Sequence, residues 1–147
     1  MTTISTTIKI QASSKQVWET LMNFENYPKW NPFITLIKYS DSTHQNLEVL
    51  LSPSKGNSMK FTPQVIRNIK EKEFAWQGKL FLKGIFDGYH SFHLKENEKG
   101  ETTFIHNEKF TGLLVPLFQS TLKTKTIKDF EKMNTALKHE VESLTKA

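Results

Sequence analysis

Ile4, Ile8 and Ile10 fall at even positions among Thr and Lys near the start of the chain, the period-two pattern of a strand with one face buried. A helix is expected directly after it. Ser13 and Gln16 are spaced as a capping box, and Ala12 can pack on Val17 as a small hydrophobic staple. Val17, Trp18, Leu21 and Phe24 then form one apolar stripe on a helix that must end before Pro28. The segment from Phe24 to Phe33 is dense in aromatics and holds two prolines, which predicts a rigid, packed connection.

Strands are expected over residues 34–40, 46–52, 58–69, 73–82, 86–95 and 101–111, with breaks at 41–43, 52–56, 70–72, 83–84 and 97–100. From Pro116 the period lengthens. Phe118, Leu122, Ile127, Phe130, Met133, Leu137, Val141 and Leu144 are spaced as the stripe of a long amphipathic helix, with Pro116 suited to its first turn. The order of strand, helix, six strands and long helix predicts one α+β domain over residues 1–147, with an antiparallel sheet of about seven strands wrapped around the C-terminal helix. The chain has no internal repeat and no low-complexity segment.

One helix covers only a strip of such a sheet, so inward side chains must fill the rest or leave a hollow. Alternation sends Phe86, Gly88, His90, Phe92 and Leu94 to one face of their strand, and Phe104, His106, Glu108 and Phe110 to one face of the next. If the turn at 97–100 closes a hairpin, two registers match these faces. His90 faces His106 in one and Glu108 in the other, with the remaining partner diagonal at about 7–8 Å. His90, His106 and Glu108 are therefore expected as one polar cluster on an apolar face. Earlier strands add Phe61, Pro63, Val65, Phe74, Trp76 and Leu80, with Gly78 leaving space among them. Apolar walls with a few converging polar groups make a ligand pocket.

Composition narrows the functions. With 37% apolar residues and no long Gly/Ser or single-charge tract, the chain reads as globular. The absence of cysteine excludes disulfides, thiolate metal sites and a catalytic Cys. Residues 1–8 lack the basic flank and apolar core of a signal peptide, and no stretch approaches the ~20 apolar residues of a membrane span, so a soluble, cytoplasmic protein is expected. The 20 basic residues outnumber the 15 acidic ones, yet Arg67 is the only arginine, which argues against a specific nucleic-acid reader. Lys123, Lys125, Lys128 and Lys132 crowd the start of the last helix. A solvated face explains them, as would an anionic head group or transient contact with a membrane surface.

The N-terminal strand and helix, Tyr27-Pro-Lys-Trp-Asn-Pro-Phe33, Phe86-Asp-Gly-Tyr-His-Ser-Phe92 and Glu108-Lys-Phe-Thr-Gly-Leu-Leu-Val-Pro-Leu-Phe118 together resemble the START-like superfamily of polyketide cyclases and lipid-transport proteins (SRPBCC). The resemblance covers nearly the whole chain. It implies a helix-grip fold with an apolar cavity between sheet and helix, whose members carry lipids, sterols or hormones, cyclise polyketides or assist chaperones. It also implies that His90, Phe92, His106, Glu108 and Phe110 line the cavity.

The expected ligand contacts are Trp30, Phe33, Phe61, Trp76, Gly78, His90, Phe92, Phe104, His106, Glu108, Phe110, Phe118 and Leu122. Tyr27 and Trp30 could instead guard the cavity mouth. The leading expectation is a binding or carrier protein for a small, largely hydrophobic molecule, as a monomer or weak homodimer without a cofactor. A cyclase or dehydratase would use His90, His106 and Glu108 as acid and base. A third alternative is a protein-interaction module with a filled core. Two His and a carboxylate also suit a metal triad, but neighbouring strand positions do not guarantee facial geometry, and no metal is expected.

Overall fold

A computed structural model describes residues 1–54, 56–80 and 82–146, the side chain of Leu80 excepted. The inward placement expected of Leu80 lies outside the described residues. So do the parts of the expected break at 52–56 and strand at 73–82 that fall on Lys55 and Phe81.

Strand β1 (Thr2–Ile10) alternates as its sequence requires, with Thr2, Ile4, Thr6 and Ile10 buried. Helix α1 (Ser14–Met22) starts on the capping box: the Gln16 N–H donates to Ser13 Oγ (3.2 Å) and the Ser13 N–H donates to Gln16 Oε1 (3.0 Å). The aromatic segment is a 3₁₀ turn (Phe24–Asn26) followed by a short helix α2 (Tyr27–Trp30), with Pro28 in its first turn. Tyr27 is fully buried there, and its hydroxyl donates to the Leu21 carbonyl at 2.6 Å.

The remaining strands are β2 (Ile34–Tyr39), β3 (Leu47–Leu51), β4 (Met59–Phe61), β5 (Gln64–Ile69), β6 (Glu73–Leu80), β7 (Phe86–Glu96) and β8 (Thr102–Thr111). The order β1-β8-β7-β6-β5 forms one sheet and β2-β3-β4 a second, all pairs antiparallel. Where one strand was expected over 58–69 there are two, so the described residues hold eight strands. Pro63 has no N–H to offer a ladder and breaks the strand. Its carbonyl instead accepts from the Leu47 N–H (2.9 Å), while the Val65 N–H donates to the Gln45 carbonyl (2.8 Å). With the Asn46–Gln64 bridge, these bonds join the two sheets into a curved surface.

The expected C-terminal helix is present but not uniformly α. Helix α3 (Val115–Thr121) passes through a π-helical turn (Leu122–Thr126) into α4 (Ile127–Thr145). Thr124 bonds back to the Ser120 carbonyl at 2.8 Å, a side-chain bond that competes with the helical ladder. Helix α4 buries Phe130, Met133, Asn134, Leu137 and Val141 in the core.

Phe130 is the centre of this grip. It is wholly buried, stacks on His106 at 3.8 Å and 3°, and meets the Phe33 ring at 5.6 Å. Phe130→Ala should destabilise the fold by about 3–5 kcal/mol. Equilibrium urea unfolding measures this, and a loss under ~1 kcal/mol would show that the site collapses at little cost.

Candidate functional site

The hairpin of β7 and β8 adopts the register that places His90 opposite Glu108 and Phe92 opposite His106. Trp76 of β6 lies across from His90, and one step along the same face Gly78 lies across from Gly88. Two facing glycines remove two side chains from the inward surface. A Cβ on Gly78 would come within 3.2 Å of the Phe61 ring, and one on Gly88 would collide with the Glu108 carboxylate. The space so opened is a cavity of about 490 Å³.

Its apolar walls include Phe33, Phe61, Trp76, Phe86, Phe110, Phe118 and Leu122. Glu108 and Asp129 are the acidic groups, and Lys79 and Lys125 are exposed cations among the lining residues. The π turn contributes Leu122, Lys125 and Thr126, in keeping with the frequent use of such turns at functional sites. Asp129 accepts from the Ser54 hydroxyl at 2.7 Å, which ties the segment after β3 to the helix beside the cavity.

Eight of the expected ligand contacts meet at this surface: Phe33, Phe61, Trp76, Gly78, Glu108, Phe110, Phe118 and Leu122. His90, Phe92, Phe104 and His106 lie behind it, each essentially without solvent exposure. Trp30 sits in α2 against the Tyr27 ring at 5.1 Å and away from the cavity, and from that aromatic segment Phe33 alone reaches the lining.

Behind the wall the polar cluster is a line. His90 Nδ1 is 2.9 Å from Glu108 Oε1, and His90 Nε2 is 2.7 Å from His106 Nε2. His106 Nδ1 is 2.9 Å from Asn134 Oδ1, and Asn134 Nδ2 donates to Thr6 Oγ1 at 2.8 Å. Trp76 stacks on His90 at 4.5 Å and 12°. Asn134 and Thr6 were missed by the sequence reading, although each is a polar residue at a core-facing position, Asn134 between Phe130 and Leu137 and Thr6 between Ile4 and Ile8.

Burial, with the neighbouring His90 adding to it, pushes the His106 pKa well below the usual 6.5. His106 is thus a neutral ring at physiological pH and no source of protons. Among the described residues no group of three or more His, Cys, Asp or Glu is placed to hold a metal, and the facing nitrogens of His90 and His106 are spent on each other. Glu108 is the one member of the line that meets the cavity. No helix among the described residues is long and apolar enough to cross a membrane.

A family model described as "Polyketide cyclase / dehydrase and lipid transport" matches residues 1–142. None of the curated proteins matches the chain. Among solved structures, a START superfamily protein from Mycobacterium smegmatis is similar over 97% of this chain and 98% of its own, at 19% identity and a TM-score of 0.76. XoxI from Bacillus cereus is similar over 99% of both chains at 18% identity and a TM-score of 0.75. The Zhui aromatase/cyclase from Streptomyces sp. R1128 is similar over 95% of this chain and 93% of its own, at 13% identity and a TM-score of 0.75. Likeness at such identities speaks for the fold alone.

The depressed His106 pKa carries a stability consequence. Above the usual 6.5 the ring is neutral folded or unfolded; below it the unfolded chain takes up a proton that the folded chain resists. Stability should therefore fall with pH below that value, by up to about 1.4 kcal/mol per unit from this residue. The lowered carboxyls of Asp41, Glu101 and Glu142 titrate in a separate, more acidic range. Urea unfolding at about pH 7.5 and about pH 5.5 should show a dependence that His106→Gln reduces, and an identical dependence in that variant would refute the assignment.

Proposed function

The chain belongs to the polyketide cyclase / dehydrase and lipid transport family, and from that membership we propose that it binds and carries a small, largely hydrophobic molecule. The cavity of about 490 Å³ carries this reading, since it has the size of a small-molecule site and walls that are mostly aromatic and aliphatic. Burial of apolar ligand surface would drive binding, at about 25 cal/mol per Å² before ordering costs. The space argues against a core closed by its own side chains.

A second reading, a cyclase or dehydratase, draws support from the 2.9 Å contact of His90 with Glu108, a carboxylate held against an imidazole at the cavity wall. Alanine at Glu108 separates the two. A carrier would lose some affinity, whereas an enzyme would lose turnover of a poly-β-ketone substrate with binding intact.

Leu82, Leu113, Leu117 and Phe118 are exposed, and backbone bonds from Leu113 to Gly84 and from Leu114 to Ile85 bring the turns that carry them together. With the exposed Lys79, Lys83, Lys123 and Lys125 nearby in the chain, this patch supports transient contact with an anionic membrane surface during loading. Vesicles containing phosphatidylserine should retain the protein on sedimentation better than pure phosphatidylcholine vesicles, and equal retention would count against the contact.

The carrier reading predicts that native mass spectrometry of the purified protein, followed by organic extraction, recovers a lipid-like or aromatic compound. Gly78→Leu puts a side chain into the cavity and should lower affinity for apolar fluorophores by about tenfold or more while the protein stays folded. Undiminished binding in that variant would place the ligand elsewhere.

A further inference from the structure

The line of hydrogen bonds behind the cavity wall can be assigned proton by proton. Thr6 Oγ1 lies 3.2 Å from the His106 carbonyl, so the hydroxyl proton is committed there. Thr6 Oγ1 must then accept from Asn134 Nδ2, and this turns Asn134 Oδ1 toward His106. His106 therefore carries its proton on Nδ1 and presents a lone pair at Nε2. His90 donates to that lone pair through Nε2–H, which leaves one proton to be shared between His90 Nδ1 and Glu108 Oε1.

That shared proton makes the Glu108–His90 unit neutral overall, whichever atom holds it. In both forms Glu108 Oε2 is an acceptor only. Oε2 takes no hydrogen bond from any described residue, and it lies over Gly88, where a Cβ would come within 2.3 Å of it. A ligand group meeting Oε2 must therefore donate a hydrogen bond, while an ether or carboxylate would oppose lone pair to lone pair. Neutrality of the unit removes any need for that donor to be a cation.

We infer that Glu108 Oε2 is a subsite for a neutral hydroxyl group on an otherwise apolar ligand, with His90, His106, Asn134 and Thr6 as positioning residues that hold it in that role. The inference rests on the cavity-binding reading and adds the chemical class of the ligand. It also separates the two roles of the cluster: the acceptor faces the cavity, and the histidines set its proton inventory from behind.

Three probes with one apolar body test it: 2-methylnaphthalene, 2-naphthol and 2-methoxynaphthalene, titrated into ¹⁵N-labelled protein at neutral pH with dissociation constants read from amide shifts. The wild type should bind 2-naphthol about tenfold tighter than 2-methoxynaphthalene. Glu108→Leu should reduce that ratio to about threefold or less, and Glu108→Gln should restore it, since its amide can donate to His90 Nδ1 and turn its oxygen to the cavity. The imidazole ¹⁵N shifts should show His106 protonated at Nδ1 and bare at Nε2. Equal binding of 2-naphthol and 2-methoxynaphthalene by the wild type, or a preference that survives in Glu108→Leu, would overturn the inference while leaving cavity binding in place. Failure of all three probes, 2-methylnaphthalene included, would overturn the cavity reading and the inference with it.

Discussion

Two imidazoles shut away from water must find partners for four ring nitrogens inside the protein, because an unsatisfied buried polar group costs about 1–3 kcal/mol. His90 and His106 meet this demand together. Each uses one nitrogen on the other, and the two remaining nitrogens reach Glu108 and Asn134. Satisfying them requires β7 and β8 in a single register, α4 at a single rotation over the sheet and β1 beside β8 to present Thr6. A shift of one residue in the hairpin would turn the whole line away from the core. The polar line thus selects among packings that an all-apolar core would tolerate more evenly.

The same face carries an opposite demand. Toward one end Phe74, Phe92, Phe104, Met133 and Leu137 fill the space between sheet and helix and are almost completely buried. Toward the other end the facing pair Gly78 and Gly88 removes side chains where α3 and the π turn pass over the sheet. The packed half supports the open half. Phe130 lies at the junction, touching His106 on one side and Phe33, a cavity residue, on the other.

Much of this was legible in the chain. Period-two alternation placed the strands within a few residues, the Ser13–Gln16 spacing located the first helix, and parity alone put His90, His106 and Glu108 on one face. Parity assigns a face and says nothing of depth, however. It gave His106 and Glu108 equal standing, although one is enclosed behind the wall and the other meets the cavity. Depth depends on the Gly78–Gly88 pairing across β6 and β7, a non-local fact. Asn134 was hidden for a related reason: helical spacing marks it as core-facing, but only the approach of α4 to β8 reveals the His106 nitrogen that it meets. The segment from Phe24 to Phe33 packs as its aromatics and prolines predict, but the alternative of Tyr27 and Trp30 at a cavity mouth fails, because Tyr27 is fully buried and neither residue reaches the lining.

A cavity that the chain's own side chains leave open forgoes the van der Waals contacts a packed core would make there, so the open end of this sheet is held at some cost to stability. The sequence places that cost between paired central strands and next to a satisfied buried hydrogen-bond line. Glu108 belongs to both regions. Its Oε1 completes the line while the residue also lines the cavity, so a ligand would meet a carboxylate whose orientation the core has already fixed. A ligand that filled the walls and satisfied that carboxylate would restore contacts to both halves at once, and by binding only the folded state it would stabilise the fold in proportion to its affinity.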